Sequence, residues 1–131
     1  MIKLKLRELV EAQPSFVKLL RSDMEFKLAY RLKKLTKKVM EEYRNFDEIR
    51  IEAVKKYGVK QEDGNISIPA EKMEEFNIEM GKVLSEEIEL DVQPIPCSLL
   101  EQTGVKMSPL EISLLEKFLE ENENAEENKD N

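Results

Sequence analysis

The sequence contains no histidine and no tryptophan, and its one cysteine, Cys97, has no second thiol with which to pair. Histidine is the commonest general base and a common transition-metal ligand, so its absence removes the usual chemistry of many hydrolases and metalloenzymes. A single cysteine excludes an internal disulfide and a zinc site built from thiolates. We therefore expect a protein with no catalytic residues, no cofactor and no metal.

Long apolar runs are also missing. No stretch approaches the ~20 consecutive apolar residues that span a membrane, and charges interrupt the apolar residues of the N-terminus, so no signal peptide is indicated. Glycine-rich phosphate loops and nucleophile elbows do not occur. The length of 131 residues fits one domain with a hydrophobic core. These features predict a cytoplasmic protein that does not enter a membrane.

The charge is distributed unevenly along the chain. Residues 1–60 carry 16 Lys and Arg against 9 Asp and Glu, a balance of +7, whereas residues 61–131 carry 5 against 19, a balance of −14. The two halves either neutralise one another inside the fold or present faces of opposite sign to partners. Residues 122–131 have a single apolar residue, Ala125, and we expect them to form a disordered acidic tail.

Two short runs have the alternation of half-buried strands. Residues 2–6 alternate apolar side chains with lysines, and residues 88–92 alternate them with carboxylates. Paired antiparallel, the two runs would place lysines opposite acids on one face and apolar side chains on the other. Residues 66–68 follow a strong turn signal and supply a third candidate strand. A small antiparallel sheet of two or three strands is predicted.

The rest of the pattern is helical. Helices are predicted over residues 7–20, with a break or restart at Pro14, and over residues 22–57, 70–86 and 109–121. Ser22 and Ser108 each begin a capping box, and Gly58 ends the long helix. The predicted fold is one α+β domain, residues 1–121, which is mostly helical and combines the long helix, antiparallel partner helices and the small sheet.

Two charged faces are candidate partner-binding sites. Residues spaced i, i+4, i+7 and i+11 share a basic face of the long helix, namely Lys27, Arg31, Lys34 and Lys38. This face is either solvated or internally paired, or it binds a protein, or it follows a nucleic-acid backbone. The last is the least favoured, because only Tyr30 accompanies it for base stacking and the chain is acidic overall.

The third helix presents the acidic candidates. Its outer side carries Glu71, Glu74, Glu75 and Glu79. Three of them, Glu71, Glu75 and Glu79, are the candidate contact residues. Ordinary solvation explains them, and contact with a partner or imitation of a nucleic-acid backbone are the alternatives. Phe26 and Tyr30 lie one turn apart and off the core stripe of the long helix, which would suit contact with a second chain. A homo-oligomer formed through the long helix is therefore an alternative.

Five segments follow one another in a distinctive order: residues 27–35 (KLAYRLKKL), 50–58 (RIEAVKKYG), 76–80 (FNIEM), 86–92 (EEIELDV) and 107–112 (MSPLEI). This order resembles that of a family of small proteins of unknown function, which tailed bacteriophages and prophages of Gram-positive bacteria encode. The resemblance implies a phage accessory protein that acts in the cytoplasm of the bacterial host or during virion assembly, and it implies no chemistry.

Together these features predict a non-enzymatic phage protein that acts by binding another protein. Inhibition or modulation of a host complex, such as a defence system, is the favoured interpretation. A factor for assembly of the virion head or tail is the alternative, and a nucleic-acid-binding protein that uses the basic face is the second alternative.

Overall fold

The long helix packs against the helix that precedes it and the helix that follows it in the chain. The computed structural model describes residues 1–120, so the predicted tail lies outside the described residues. The elements, in chain order, are β1 (Ile2–Lys5), α1 (Leu6–Leu20), α2 (Phe26–Tyr57), β2 (Val59–Lys60), β3 (Ile66–Ser67), α3 (Ala70–Leu84), β4 (Glu87–Leu90), β5 (Ile95–Pro96), α4 (Cys97–Glu101), α5 (Pro109–Leu115), a 3-10 helix (Glu116–Phe118) and β6 (Leu119–Glu120). The predicted α+β class, dominated by helix, is confirmed.

Strands β1 and β4 pair antiparallel as their sequences predict. Lys3 lies opposite Glu89, and Lys5 lies opposite Glu87. The nitrogen of Lys3 is 3.9 Å from a carboxylate oxygen of Glu89 on the exposed face. Ile2 on β1 and its partner Leu90 on β4 are buried on the other face. Burial on one face and charge complementarity on the other therefore select the same register.

The predicted third strand forms, but it does not join this sheet. Ile66 and Ser67 pair instead with β2 in a separate hairpin, which is closed by a turn with Gly64 at a φ of +89°. Gly58 precedes this hairpin, and a Cβ there would collide with the Ile66 side chain and the Val54 carbonyl. A third pair, β5 with β6, is parallel and was not predicted.

Two predicted helix boundaries at the N-terminal end are wrong. Helix α1 runs through Pro14 without a break, because Pro14 is exposed while buried neighbours such as Phe16 hold the helix against the core. Ser22 does not cap α2, since its hydroxyl donates to the Lys18 carbonyl at 3.0 Å and so completes the end of α1. Helix α2 begins four residues later, at Phe26, with Glu25 at the N-cap.

Helix α2 is continuous over 32 residues, a length of about 48 Å. Its buried stripe recurs at intervals of three and four residues over the first half and continues more sparsely to the C-terminal end: Leu28, Leu32, Leu35, Val39, Phe46 and Ala53. Helix α3 returns antiparallel along the C-terminal half, where the rings of Tyr57 and Phe76 are 6.3 Å apart between centroids. Helix α2 therefore packs against α1 along its N-terminal half and against α3 along its C-terminal half.

The C-terminal helix is shorter than predicted. Its capping box is confirmed: Ser108 Oγ accepts from the Glu111 backbone N–H at 3.1 Å, and Glu111 accepts from the Ser108 N–H at 2.7 Å. The helix ends at Leu115 rather than 121, because Phe118 turns inward and meets Phe16 edge-on, with ring centroids 4.7 Å apart. Leu119 then pairs with Ile95 in the parallel ladder.

Candidate functional site

The N-terminal half of α2 concentrates positive charge. Residues 26–40, here called the basic segment, contain six Lys or Arg and no Asp or Glu. The salt bridges of residues 1–120 all lie elsewhere: Lys3–Glu89, Lys18–Glu111, Arg50–Asp47, Lys56–Glu79 and Lys117–Glu8. Within the described chain, no carboxylate therefore forms an ion pair with a cation of the basic segment.

The four predicted cations stand along one side of this segment. Lys27 and Lys34 are exposed, whereas Arg31 and Lys38 are half-buried. Arg31 is partly structural, because its guanidinium donates to the carbonyl of Pro94 at 3.3 Å and so ties α2 to the chain before β5. The side chains of the other three form no salt bridge within residues 1–120, and they are available to a partner.

This arrangement costs stability. Cations near the N-terminus of a helix oppose its macrodipole, and like charges four residues apart repel by roughly 0.2–0.5 kcal/mol a pair. The basic segment contains three such pairs, Lys27 with Arg31, Lys33 with Lys37, and Lys34 with Lys38. The repulsion sums to roughly 0.6–1.5 kcal/mol. A charge pattern that opposes its own helix favours a role in binding over a role in folding.

An exposed aromatic pair stands beside these cations. Phe26 is 82% exposed and Tyr30 is 50% exposed, and their rings are stacked at 6.0 Å between centroids with an interplanar angle of 11°. The Lys34 ammonium lies 4.9 Å from the centroid of the Tyr30 ring. Aromatic side chains and arginine are enriched in the energetic centres of protein interfaces. The sequence predicts that both rings lie off the core stripe, and both are exposed in the structure.

Grooves flank the basic segment on both sides. The groove between α2 and α4, with a volume of about 470 Å³, combines apolar Leu28 and Leu99 with charges of both signs, including Lys27 and Glu25. The groove between α1 and α2, of about 320 Å³, is mainly apolar and has Lys33 and Lys37 in its lining. Both depend on packing between helices, so no local sequence pattern predicts them.

The three predicted glutamates of the acidic face differ in their surroundings. Glu71 and Glu75 are exposed on α3. Glu79 is half-buried and accepts hydrogen bonds from the Lys56 ammonium at 3.0 Å and the Tyr57 hydroxyl at 2.9 Å. The bond from Lys56, helped by that from Tyr57, lowers the pKa of Glu79, and the same contact raises the pKa of Lys56. Glu79 therefore fastens α3 to the end of α2, and Glu71 and Glu75 remain as solvent-facing acids.

None of the helices in residues 1–120 is long and apolar enough to cross a bilayer. In the same residues, no three Cys, Asp or Glu side chains lie together in a group that could hold a metal ion. The charged and aromatic surface of the basic segment is thus the feature that best defines a site.

No protein-family model, curated protein or solved structure matches the chain. The resemblance to phage-encoded proteins stays a prediction. The feature that defines the described part of the molecule is the basic segment, whose cations form no ion pair within residues 1–120 and lie beside the exposed rings of Phe26 and Tyr30.

Proposed function

We propose that the protein is a non-enzymatic binding protein that recognises an acidic partner protein through the basic segment of α2. The observation that supports this most is the coincidence of six cations, none of them in an ion pair within residues 1–120, with the exposed pair of Phe26 and Tyr30. The aromatic rings would supply the desolvated centre of the contact, and the cations would form its rim.

A protein partner fits this surface better than a nucleic acid does. Lys34 lies over the Tyr30 ring, and Phe26 stacks on Tyr30, so few ring faces are left for bases. The chain carries −7 in total and +6 in the basic segment, which leaves −13 on its other residues. Such a charge repels a long polyanion, whereas a partner protein needs acidic residues only where it touches the basic segment.

The resemblance to phage proteins supports a bacterial setting for this binding. In that setting, we propose that the protein inhibits or modulates a host complex, such as a defence system. A role in assembly of the virion head or tail is the alternative, and the exposed Phe26 and Tyr30 suit it equally, because repeated subunits also meet through aromatic surfaces.

Reversal of charge on the basic segment tests the proposal. The tagged protein, the double variant Lys34→Glu with Lys38→Glu, and the control Lys55→Glu with Lys60→Glu are each used to capture proteins from nuclease-treated lysates of bacteria with and without phage infection. The control places the same charge change at the far end of α2 and in β2. Mass spectrometry quantifies what each version retains.

We expect a protein with an acidic surface to be retained by the unmodified chain and by the control, and to be lost from the double variant. Capture of phage structural proteins alone would move the protein to virion assembly. Material that is captured from a parallel lysate without nuclease and is absent after nuclease treatment would indicate nucleic-acid binding. Retention that ignores the charge reversal would refute the basic segment as the binding site.

A further inference from the structure

The groove between α1 and α2 has features of its own that the basic face does not require. Its walls are mainly apolar and include Leu19 and Leu20 at the end of α1, Met24 in the connection, and Ala29 and Leu32 on α2. Ser22 and Thr36 are the uncharged polar residues of the lining. Its volume is about 320 Å³, at the lower end of the range for ligand sites in proteins. That space suits one or two aliphatic side chains better than a large cofactor.

The side chain of Leu20, in the wall of this groove, is only partly covered by the rest of the fold. Its neighbour Leu19 is 2% exposed, whereas Leu20 is 49% exposed although it lies in the same last turn of α1. No described side chain covers this half of Leu20. An aliphatic side chain from outside would bury it, and burial of apolar surface is the main favourable contribution to most protein association.

The polar edge of the groove has a single sign of charge. Lys33 and Lys37 are exposed, four residues apart, and make no salt bridge with residues 1–120. Their mutual repulsion would become attraction if a carboxylate lay between them. The groove therefore pairs an apolar floor with an edge that selects negative charge.

We propose that the α1–α2 groove binds an acidic amphipathic segment of the partner protein, with an aliphatic side chain on the apolar floor and a flanking Asp or Glu between Lys33 and Lys37. This inference rests on the proposed function and names the chemistry of the partner. An amphipathic helix laid in an apolar groove is a recurrent form of peptide recognition. A nucleic acid has no group that matches the aliphatic floor, which separates this site from a backbone-binding surface.

A second copy of the chain is the competing occupant. Helix α3 carries Ile78, which is 54% exposed, close in sequence to the exposed Glu74 and Glu75. A contact between α3 of one copy and the groove of the next would be head-to-tail and would build rings or filaments. Sedimentation measurements on the full chain decide between this and a foreign partner.

The test uses a random linear peptide library displayed on filamentous phage and selected on the immobilised full chain. We expect enriched sequences that combine one or two aliphatic residues with Asp or Glu within one helical turn. A synthetic peptide of the consensus sequence is then measured by fluorescence anisotropy. The variant Ala29→Leu, which fills the groove with its own side chain, should weaken binding by about tenfold or more. Ile78→Ser, on α3, is the matched control and should leave the affinity unchanged.

Two further variants make the outcomes separable. Leu20→Ser removes part of the apolar wall at an exposed position and serves if Ala29→Leu disturbs folding, which circular dichroism reports. The double variant Lys33→Glu with Lys37→Glu removes the charge selection alone. Loss of binding in this double variant with full binding in both groove variants would overturn the groove and preserve the proposed function.

Three further results of these experiments would contradict the proposed occupant of the groove. Loss of binding in Ala29→Leu with full binding in the double charge variant would overturn the acidic ligand proposed here, because the groove would then bind without charge selection, and it would count against the proposed function. Selection of no peptides, or of basic or proline-rich peptides, would overturn the groove. Oligomers of the unmodified chain that Ile78→Ser dissolves would show that the occupant is a second copy, which also overturns the proposal.

Discussion

The substitution Lys27→Glu should stabilise the protein while weakening its binding to an acidic partner. Lys27 is the second residue of α2, where the positive end of the helix macrodipole makes a cation unfavourable and a carboxylate favourable. It also lies four residues before Arg31. The lysine repels Arg31, whereas a glutamate at this position would attract it. A residue that serves folding would behave in the opposite way.

The magnitude follows from three local effects. Reversal of the interaction with the helix macrodipole contributes roughly 0.3–1 kcal/mol. Removal of the repulsion from Arg31 and its replacement by attraction each contribute roughly 0.2–0.5 kcal/mol. Asp23 and Glu25 line the same α2–α4 groove as Lys27 and oppose part of this gain. A net stabilisation of about 1 kcal/mol remains, which corresponds to a rise in Tm of roughly 3–5 °C for a chain of this size.

Lys55→Glu is the matched control at the other end of the same helix. Lys55 lies in the last turn of α2, where the macrodipole favours a cation, and it follows Glu52 by three residues, so its reversal should destabilise the protein. Urea denaturation followed by circular dichroism gives both free energies of unfolding. At roughly 1 M salt, where the Debye length is about 3 Å, both effects should shrink. Destabilisation by Lys27→Glu, or equal effects at the two ends, would refute the reasoning.

Three further predictions concern the scaffold. Ser108→Ala should cost about 1 kcal/mol in urea denaturation because it removes the N-cap of α5, whereas Ser113→Ala within the same helix should change little. Phe118→Ala should cost about 3–5 kcal/mol because that ring is 1% exposed, and Phe26→Ala, at an exposed position, should change stability by less than about 0.5 kcal/mol. Acid should destabilise the fold: the Lys56 hydrogen bond lowers the pKa of Glu79, and the Ser108 backbone N–H, followed by Lys18, lowers the pKa of Glu111. Because the unfolded chain then binds more protons than the folded one, their contribution is complete above the ordinary glutamate pKa of about 4.3 and is lost as the pH falls through the lowered values. Urea denaturation across a pH series should show this loss, and Glu79→Gln should reduce it; a stability that rises as the pH falls would contradict it.

Local patterns predicted the elements whose causes are local. The alternation in β1 and β4 carries both the strand period and the complementary charges, so their pairing was predictable. The capping box at Ser108 was predictable because both of its hydrogen bonds lie within four residues. The same motif at Ser22 misled, because its hydroxyl has a competing acceptor, the Lys18 carbonyl in the preceding turn. The pairing of β5 with β6 was not predictable, because each strand has only two residues and the pair shows neither alternation nor complementary charge.

The charge of the site could be predicted from the sequence only in part. Helical spacing predicts that Lys27, Arg31 and Lys34 share one side of α2, and that part depends on the helix alone. Whether the acidic half of the chain neutralises them depends on which elements pack together. The carboxylates of the acidic half that form salt bridges do so with cations outside the basic segment. Glu111 pairs with Lys18, and Glu79 pairs with Lys56.

The segregation of charge seen along the sequence therefore persists in the folded surface. If the acidic helix α3 had packed along the N-terminal half of α2, the cations there would have been neutralised within the molecule. It packs along the C-terminal half instead, where Tyr57 meets Phe76 and Lys56 meets Glu79. Hydrophobic contacts thus determine where the acids lie, and the basic segment keeps its charge because no described acidic element packs against it. The spacing of the lysines determines only which side of the helix they share. The topology determines whether acidic residues neutralise that side, and so whether it can serve as a binding surface.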